Sequence, residues 1–132
     1  MSAGLSGCRA RKLARSPSQP TGTWIRPVSR LAIYLRDGFR CLYCCADLHG
    51  ADPRDVTLDH LIARVDGGGN TAANLVTACR TCNSSRQDQG WTRFASPEAR
   101  IEIRRNVRRS MTTYRALAGA IIRGDTQAEE TR

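Results

Sequence analysis

The sequence predicts a small α+β domain, stapled by a four-cysteine zinc site and flanked by an N-terminal helix and a long basic C-terminal helix. Two Cys-x-x-Cys pairs frame a stretch with two short β-prone runs, and apolar residues recur at helical spacing on either side of it. Only 5% of the 132 residues are aromatic. A chain of this length buries a small core, and thin cores lean on a staple.

Taken in order, residues 1–22 are rich in Ser, Gly and Pro. They carry Arg9, Arg11, Lys12 and Arg15 with no acidic residue, which predicts a disordered basic arm. The main domain is expected over 23–95. Pro27 suits the first position of a helix, Val28, Leu31, Ala32 and Leu35 share one face, and Gly38 supplies the stop, so a helix is predicted over Pro27–Arg36. Val56, Thr57 and Leu58 have β propensity and run into Asp59-His60 as a first strand. Gly67-Gly68-Gly69-Asn70 reads as a turn before a second strand over Leu75–Thr77.

A short helix is then expected from Asn83 to Gln89, stopped by Gly90, with Trp91 and Phe94 packing back on the core. Ser96 as N-cap and Pro97 at the first helical position open a long helix over 96–123. Its apolar stripe is Ile103, Val107, Met111, Tyr114, Ala118 and Ile121. Residues 124–132 read as a frayed tail.

Twenty-one basic side chains against 12 acidic ones give a net charge of +9, and Lys12 is the single lysine among the basic ones. Guanidinium matches planar anionic oxygens, so the composition favours a polyanionic partner such as nucleic-acid phosphate. No apolar stretch approaches the ~18 residues of a membrane span. No secretory signal is evident, so the expected compartment is the reducing cytoplasm, where paired cysteines serve metals more often than disulfides.

Cys41-Leu42-Tyr43-Cys44 and Cys79-Arg80-Thr81-Cys82 are two such pairs, each short enough to present both thiolates to one tetrahedral ion. Soft thiolates select zinc, and four protein ligands close its shell, so the ion is expected to be structural. Cys45 offers an alternative to Cys44 with one more residue of spacing; otherwise Cys45 and Cys8 are spectators. The stretch between the pairs exceeds the usual ribbon spacing of ~15 to 20 residues and is expected to be a motif in its own right.

That stretch holds Asp59-His60, the glycine turn with Asn70, and Asn74-Leu75, followed by the second pair and Asn83. In this order, over roughly Arg36 to Arg86, the sequence resembles the HNH endonuclease family. The resemblance implies a ββα-metal core in which two strands and a helix surround one catalytic divalent ion. Carried over by position, His60 is implied as the general base that activates water, with Asp59 and Asn83 as ligands of the ion. Asn74 matches the middle letter, which orients the histidine and its loop. Asn83 stands where the family more often has histidine, and amide and carboxylate oxygens lean toward Mg2+ or Mn2+. The expected reaction is DNA phosphodiester hydrolysis, by nicking or double-strand cleavage.

Independent of family, histidine titrates near neutrality and suits a general base. His49, in a loop without a partner pattern, reads as structural. For the DNA backbone the candidates are Arg64, Arg80 and Arg86 inside the motif and Arg104, Arg105, Arg108 and Arg109 on the long helix, where like charges at i, i+4 cost stability until an anion neutralises them. A catalytically inactive zinc-knuckle DNA-binding or accessory protein is the competing reading. An RNA module is disfavoured by the scarcity of aromatic stacking platforms.

Overall fold

The computed structural model describes residues 25–125. The expected basic arm, Cys8 and most of the C-terminal tail lie outside them. Helix α1 spans Pro27–Arg36 as expected, with proline at its first turn, and Asp37 and Gly38 close it through main-chain bonds to Ile33 and Leu35. Strands β1 (Val56–His60) and β2 (Leu75–Cys79) pair antiparallel, with His60 opposite Leu75 and Asp59 opposite Val76. Helices α2 (Arg80–Arg86), α3 (Trp91–Phe94), α4 (Pro97–Val107) and α5 (Thr112–Arg123) follow. The result is a small α+β fold around a two-stranded sheet.

Alternation along the strands divides the core. Leu58 and Leu75 face a cluster built from Ala32 and Ile33 of α1 with Met111 and Ala118 of the C-terminal segment. Val76 points the other way, into a cluster with Leu42, Leu61, Ala99 and Ile103, against which Trp91 packs. Phe94 packs on the third cluster, formed around the cysteines. The sheet is therefore covered on both faces, although only His60 and its neighbours reach the strand end where polar chemistry gathers.

One buried ion pair joins these layers. Arg36 and Asp37 have fully buried side chains, and the Arg36 guanidinium bridges to Asp37 at 2.8 Å. Arg36 also donates to the carbonyls of Ala72 and Leu75. Asp37 accepts from the Thr77 main-chain N–H and from the Asn106 side-chain amide, so α1, β2 and α4 meet at one carboxylate. A buried charge is tolerable because every oxygen of the pair has a donor.

The single long helix expected over 96–123 is two helices. Ser96 caps α4 by accepting from the Ala99 N–H, as the sequence suggested, but α4 ends at Val107. Arg108–Met111 form a turn in which Ser110 Oγ accepts from the Thr112 N–H. Serine and threonine compete for main-chain partners and are weak helix formers, so Ser110, Thr112 and Thr113 break the stripe where its apolar spacing continues. The break lets α5 fold back along α1 and bury Met111 and Ala118, while Ile121 stays half exposed. Helix α2 also begins earlier than expected, because the Cys79 sulfur itself caps it by accepting from the Cys82 N–H. Among the described residues no helix is long and apolar enough to cross a membrane.

Candidate active site and metal centre

The sulfurs of Cys41, Cys44, Cys79 and Cys82 all lie within 4.8 Å of one another, and those of Cys44 and Cys79 are 3.9 Å apart. Four thiolates at about 2.3 Å from a tetrahedral zinc stand about 3.8 Å from each other, so the cluster fits a zinc site. Main-chain N–H groups of Cys44 and Cys82 donate to the sulfurs of Cys41 and Cys79. Donation from the Cys79 and Cys82 thiols pulls Cys41 well below the usual thiol range, and the Cys41 thiolate in turn pushes Cys79 and Cys82 up. A divalent cation would be bound by these sulfurs as thiolates. Cys45 takes a left-handed φ of 68° and an exposed position, which turns it out of the cluster and leaves Cys44 as the partner of Cys41.

Tyr43 sits inside the first cysteine pair and reaches from it to the end of β1. Its ring packs edge-on against Phe94, and its hydroxyl donates to Asp59 Oδ2 at 2.5 Å. The same oxygen receives Arg86 Nη1. Burial, and after it the Asp59 charge, raise the Tyr43 phenol well above its ordinary range, so it stays a donor. Burial likewise raises the Asp59 carboxyl, opposed by Arg86 and Tyr43. Both clamps fall on Oδ2; Asp59 Oδ1 has no hydrogen-bond partner among the described residues. Asn83, one turn into α2, donates its Nδ2 to Thr57 Oγ1 and the Leu58 carbonyl, which commits the nitrogen to β1 and leaves Oδ1 as its other face.

His60 ends β1, and its Nε2 lies 2.7 Å from Asn70 Oδ1. A carbonyl oxygen accepts, so Nε2 carries the proton and the lone pair of the neutral ring is on Nδ1. No side-chain hydrogen bond joins Asn74 to His60. Asn74 binds the loop that follows, accepting from the Ile62 N–H and donating to the carbonyls of Ile62 and Gly69. The two loop arms approach so closely at Gly68 that a Cβ there would lie 1.8 Å from the Ile62 oxygen. His49 pairs with Asp47 in an exposed turn, consistent with a structural role.

Arg86 is not the surface phosphate clamp expected from the sequence. It is 6% exposed, and besides Asp59 it donates to the carbonyls of His60, Leu61 and Gln89, so its guanidinium is consumed within the fold. Arg108 and Arg109 leave the helical row because they lie in the turn between α4 and α5; Arg109 donates to the Tyr114 hydroxyl. Arg104 and Arg105 remain exposed on α4, with Arg104 over the Trp91 ring at 5.4 Å. Arg64 is exposed in the loop after His60, and Arg80 sits 4.0 Å from Asp55 at the start of α2. Tyr43 and Asn70 escaped the sequence reading. An aromatic ring enclosed between two metal-binding cysteines was the available signal for the first, whereas Asn70 looked like any residue closing a glycine turn.

With a two-stranded sheet, a following helix and a histidine at the strand end, the site stands inside one contiguous segment. Residues 41–89 match the family model for HNH endonuclease. This segment is an HNH domain. No curated protein and no solved structure matches the chain. HNH domains are generally nuclease domains and imply a nucleic-acid substrate, and the four sulfurs belong to the same segment.

Proposed function

We propose that this chain is a divalent-metal-dependent HNH endonuclease that hydrolyses DNA phosphodiester bonds, with His60 as general base. The observation that carries this reading is the position of His60 at the end of β1 with its Nε2 2.7 Å from Asn70 Oδ1, an arrangement in which Nε2 donates and Nδ1 is the nitrogen that takes a proton. A water is deprotonated by Nδ1 as its oxygen attacks phosphorus. The bond to the 3′ oxygen breaks, that oxygen takes up a proton from solvent, and 5′-phosphate and 3′-hydroxyl ends result.

The donor set fits a hard divalent ion, because Asp59 Oδ1 and Asn83 Oδ1 are oxygens left over after every other polar atom of the two side chains is engaged. When bound, Mg2+ or Mn2+ supplies charge neutralisation at the phosphate and the leaving oxygen. Tyr43 and Arg86 hold the Asp59 carboxylate in place. Asn74 and Gly68 fix the loop that follows His60 and bears Asn70. Zn2+ on Cys41, Cys44, Cys79 and Cys82 is structural, and such thiols suit a reducing, cytoplasmic compartment. Arg64, Arg80, Arg104, Arg105 and Arg108 supply contacts to the DNA backbone without base preference.

The test is cleavage of supercoiled plasmid with and without Mg2+ or Mn2+. His60→Ala is expected to abolish cleavage with zinc content and DNA binding retained, and no excess of metal restores it. Asp59→Ala is expected to lose cleavage through weaker divalent binding and to recover part of it at raised metal. Asn83→His is expected to stay active and shift preference toward softer ions. Wild-type protein that binds DNA but never cuts, or His60→Ala that cuts as well as wild type, would leave the zinc-knuckle DNA-binding reading in its place.

A further inference from the structure

We propose that the cleft between α1, α5 and the loop at Asn70 binds the sugar-phosphate unit flanking the scissile bond, with Arg115 gripping its phosphate; this rests on the nuclease reading above. The cleft has a volume of about 230 Å³. Ile33 and Met111 form an apolar floor, and Ser29, Asn70, Thr71 and Arg115 bring two hydroxyls, an amide and a guanidinium to the rim. No carboxylate lines it. A sugar presents a C–H face to such a floor, while its phosphate takes charge-assisted bonds from a guanidinium and ordinary ones from hydroxyls.

Position ties the cleft to the chemistry. Asn70 lines the cleft and accepts from His60 Nε2, so the cleft begins one side chain from the proposed base. Arg115 is exposed on α5, and its guanidinium has no partner among the described residues. Four other arginines are committed within the fold: Arg36 and Arg86 are buried, Arg40 is paired with Glu102, and Arg100 is spent on the carbonyls of Thr92 and Ala95. Arg115 reaches the cleft because the chain breaks at Arg108–Met111; a straight helix would carry it away from α1.

The test uses His60→Ala protein, which is expected to bind without cutting, on a short DNA duplex across a salt series. Adding Arg115→Gln is expected to weaken binding and flatten the salt dependence by one phosphate contact. The affinity lost between 50 and 200 mM salt then shrinks about three- to fourfold. Arg123→Gln, an equal loss of charge at the far end of α5 where Arg123 pairs with Asp125, is expected to leave the slope unchanged. In otherwise wild-type protein, Arg115→Gln is expected to raise KM with kcat kept within about twofold, and Arg115→Lys to restore most of the affinity. A methylphosphonate at the phosphate beside the mapped cut is expected to weaken wild-type binding and leave Arg115→Gln binding indifferent.

An unchanged slope in Arg115→Gln, or a methylphosphonate penalty equal in both proteins, overturns the cleft assignment while plasmid cleavage stands. Wild-type protein that shows the Arg115 slope but never cuts overturns the nuclease reading instead, and with it the assignment of the cleft to a scissile bond.

Discussion

Gly68 offers the sharpest link between backbone geometry and activity. A Cβ placed on it would lie 1.8 Å from the Ile62 oxygen, 2.6 Å from the Ile62 carbonyl carbon and 2.8 Å from Asn74 Nδ2. The nearest neighbours are main chain, so rotating a side chain relieves nothing. The loop arms must separate by about 1.2 Å even to reach the 3.0 Å that real Cβ contacts respect. Ile62 lies two residues beyond His60, and both of its main-chain polar groups are held by Asn74. Gly68→Ala is therefore expected to move the histidine as well as the loop. A displacement near 1 Å costs about 10²-fold in rate, or ~2.7 kcal/mol of transition-state stabilisation. The assay is single-turnover nicking of supercoiled plasmid by zinc-loaded protein, with thermal unfolding measured alongside. Gly69→Ala is the control, since its nearest neighbour is Thr71 Cγ2 at 3.9 Å, and it is expected to stay within about threefold of wild type. Gly68→Ala cleaving as fast as Gly69→Ala would refute the reasoning.

Two further outcomes concern stability. Asp37→Ala strands a buried Arg36 and removes the acceptor of the Thr77 N–H and the Asn106 amide, so a loss of about 3–5 kcal/mol in urea unfolding is expected. Asn106→Ala, which removes one donor, is expected to cost only about 1–2 kcal/mol, and equal losses in the two variants would count against the network. Cys79→Ser is expected to lose zinc and the folding free energy the metal supplies while the serine hydroxyl keeps the α2 cap, read by metal analysis and thermal unfolding; a zinc-replete variant of unchanged stability would rule the cluster out as the metal site.

Much of this architecture was legible from local chemistry. Pro27, the apolar face of α1, both strands and the Ser96 cap are each specified within a few residues, and pairs of cysteines at fixed spacing advertise their common target. The missed features depend on partners distant in sequence. Arg86 counts as one more cation in any composition, yet β1 and the residues after α2 turn it into a buried strut. The stripe from Ile103 to Ile121 keeps helical spacing across Ser110 and Thr112, so periodicity alone could not locate the break that α1 packing exploits. Asn70 and Asn74 lie four positions apart on one loop; only the fold shows that the first touches His60 and the second holds the main chain behind it.

Several of these supports grip main chain in place of side chain. Arg36 holds the carbonyls of Ala72 and Leu75, Arg86 those of His60, Leu61 and Gln89, and Arg100 those of Thr92 and Ala95. A carbonyl is the same whichever residue bears it. Positions such as 72, 89 and 92 are thus free to drift across descendants of this sequence, while the arginines that hold them are not. Pairwise co-variation, which detects contacts by compensating changes, will pass over the bonds that fix the strand end, because one partner in each has no identity to exchange.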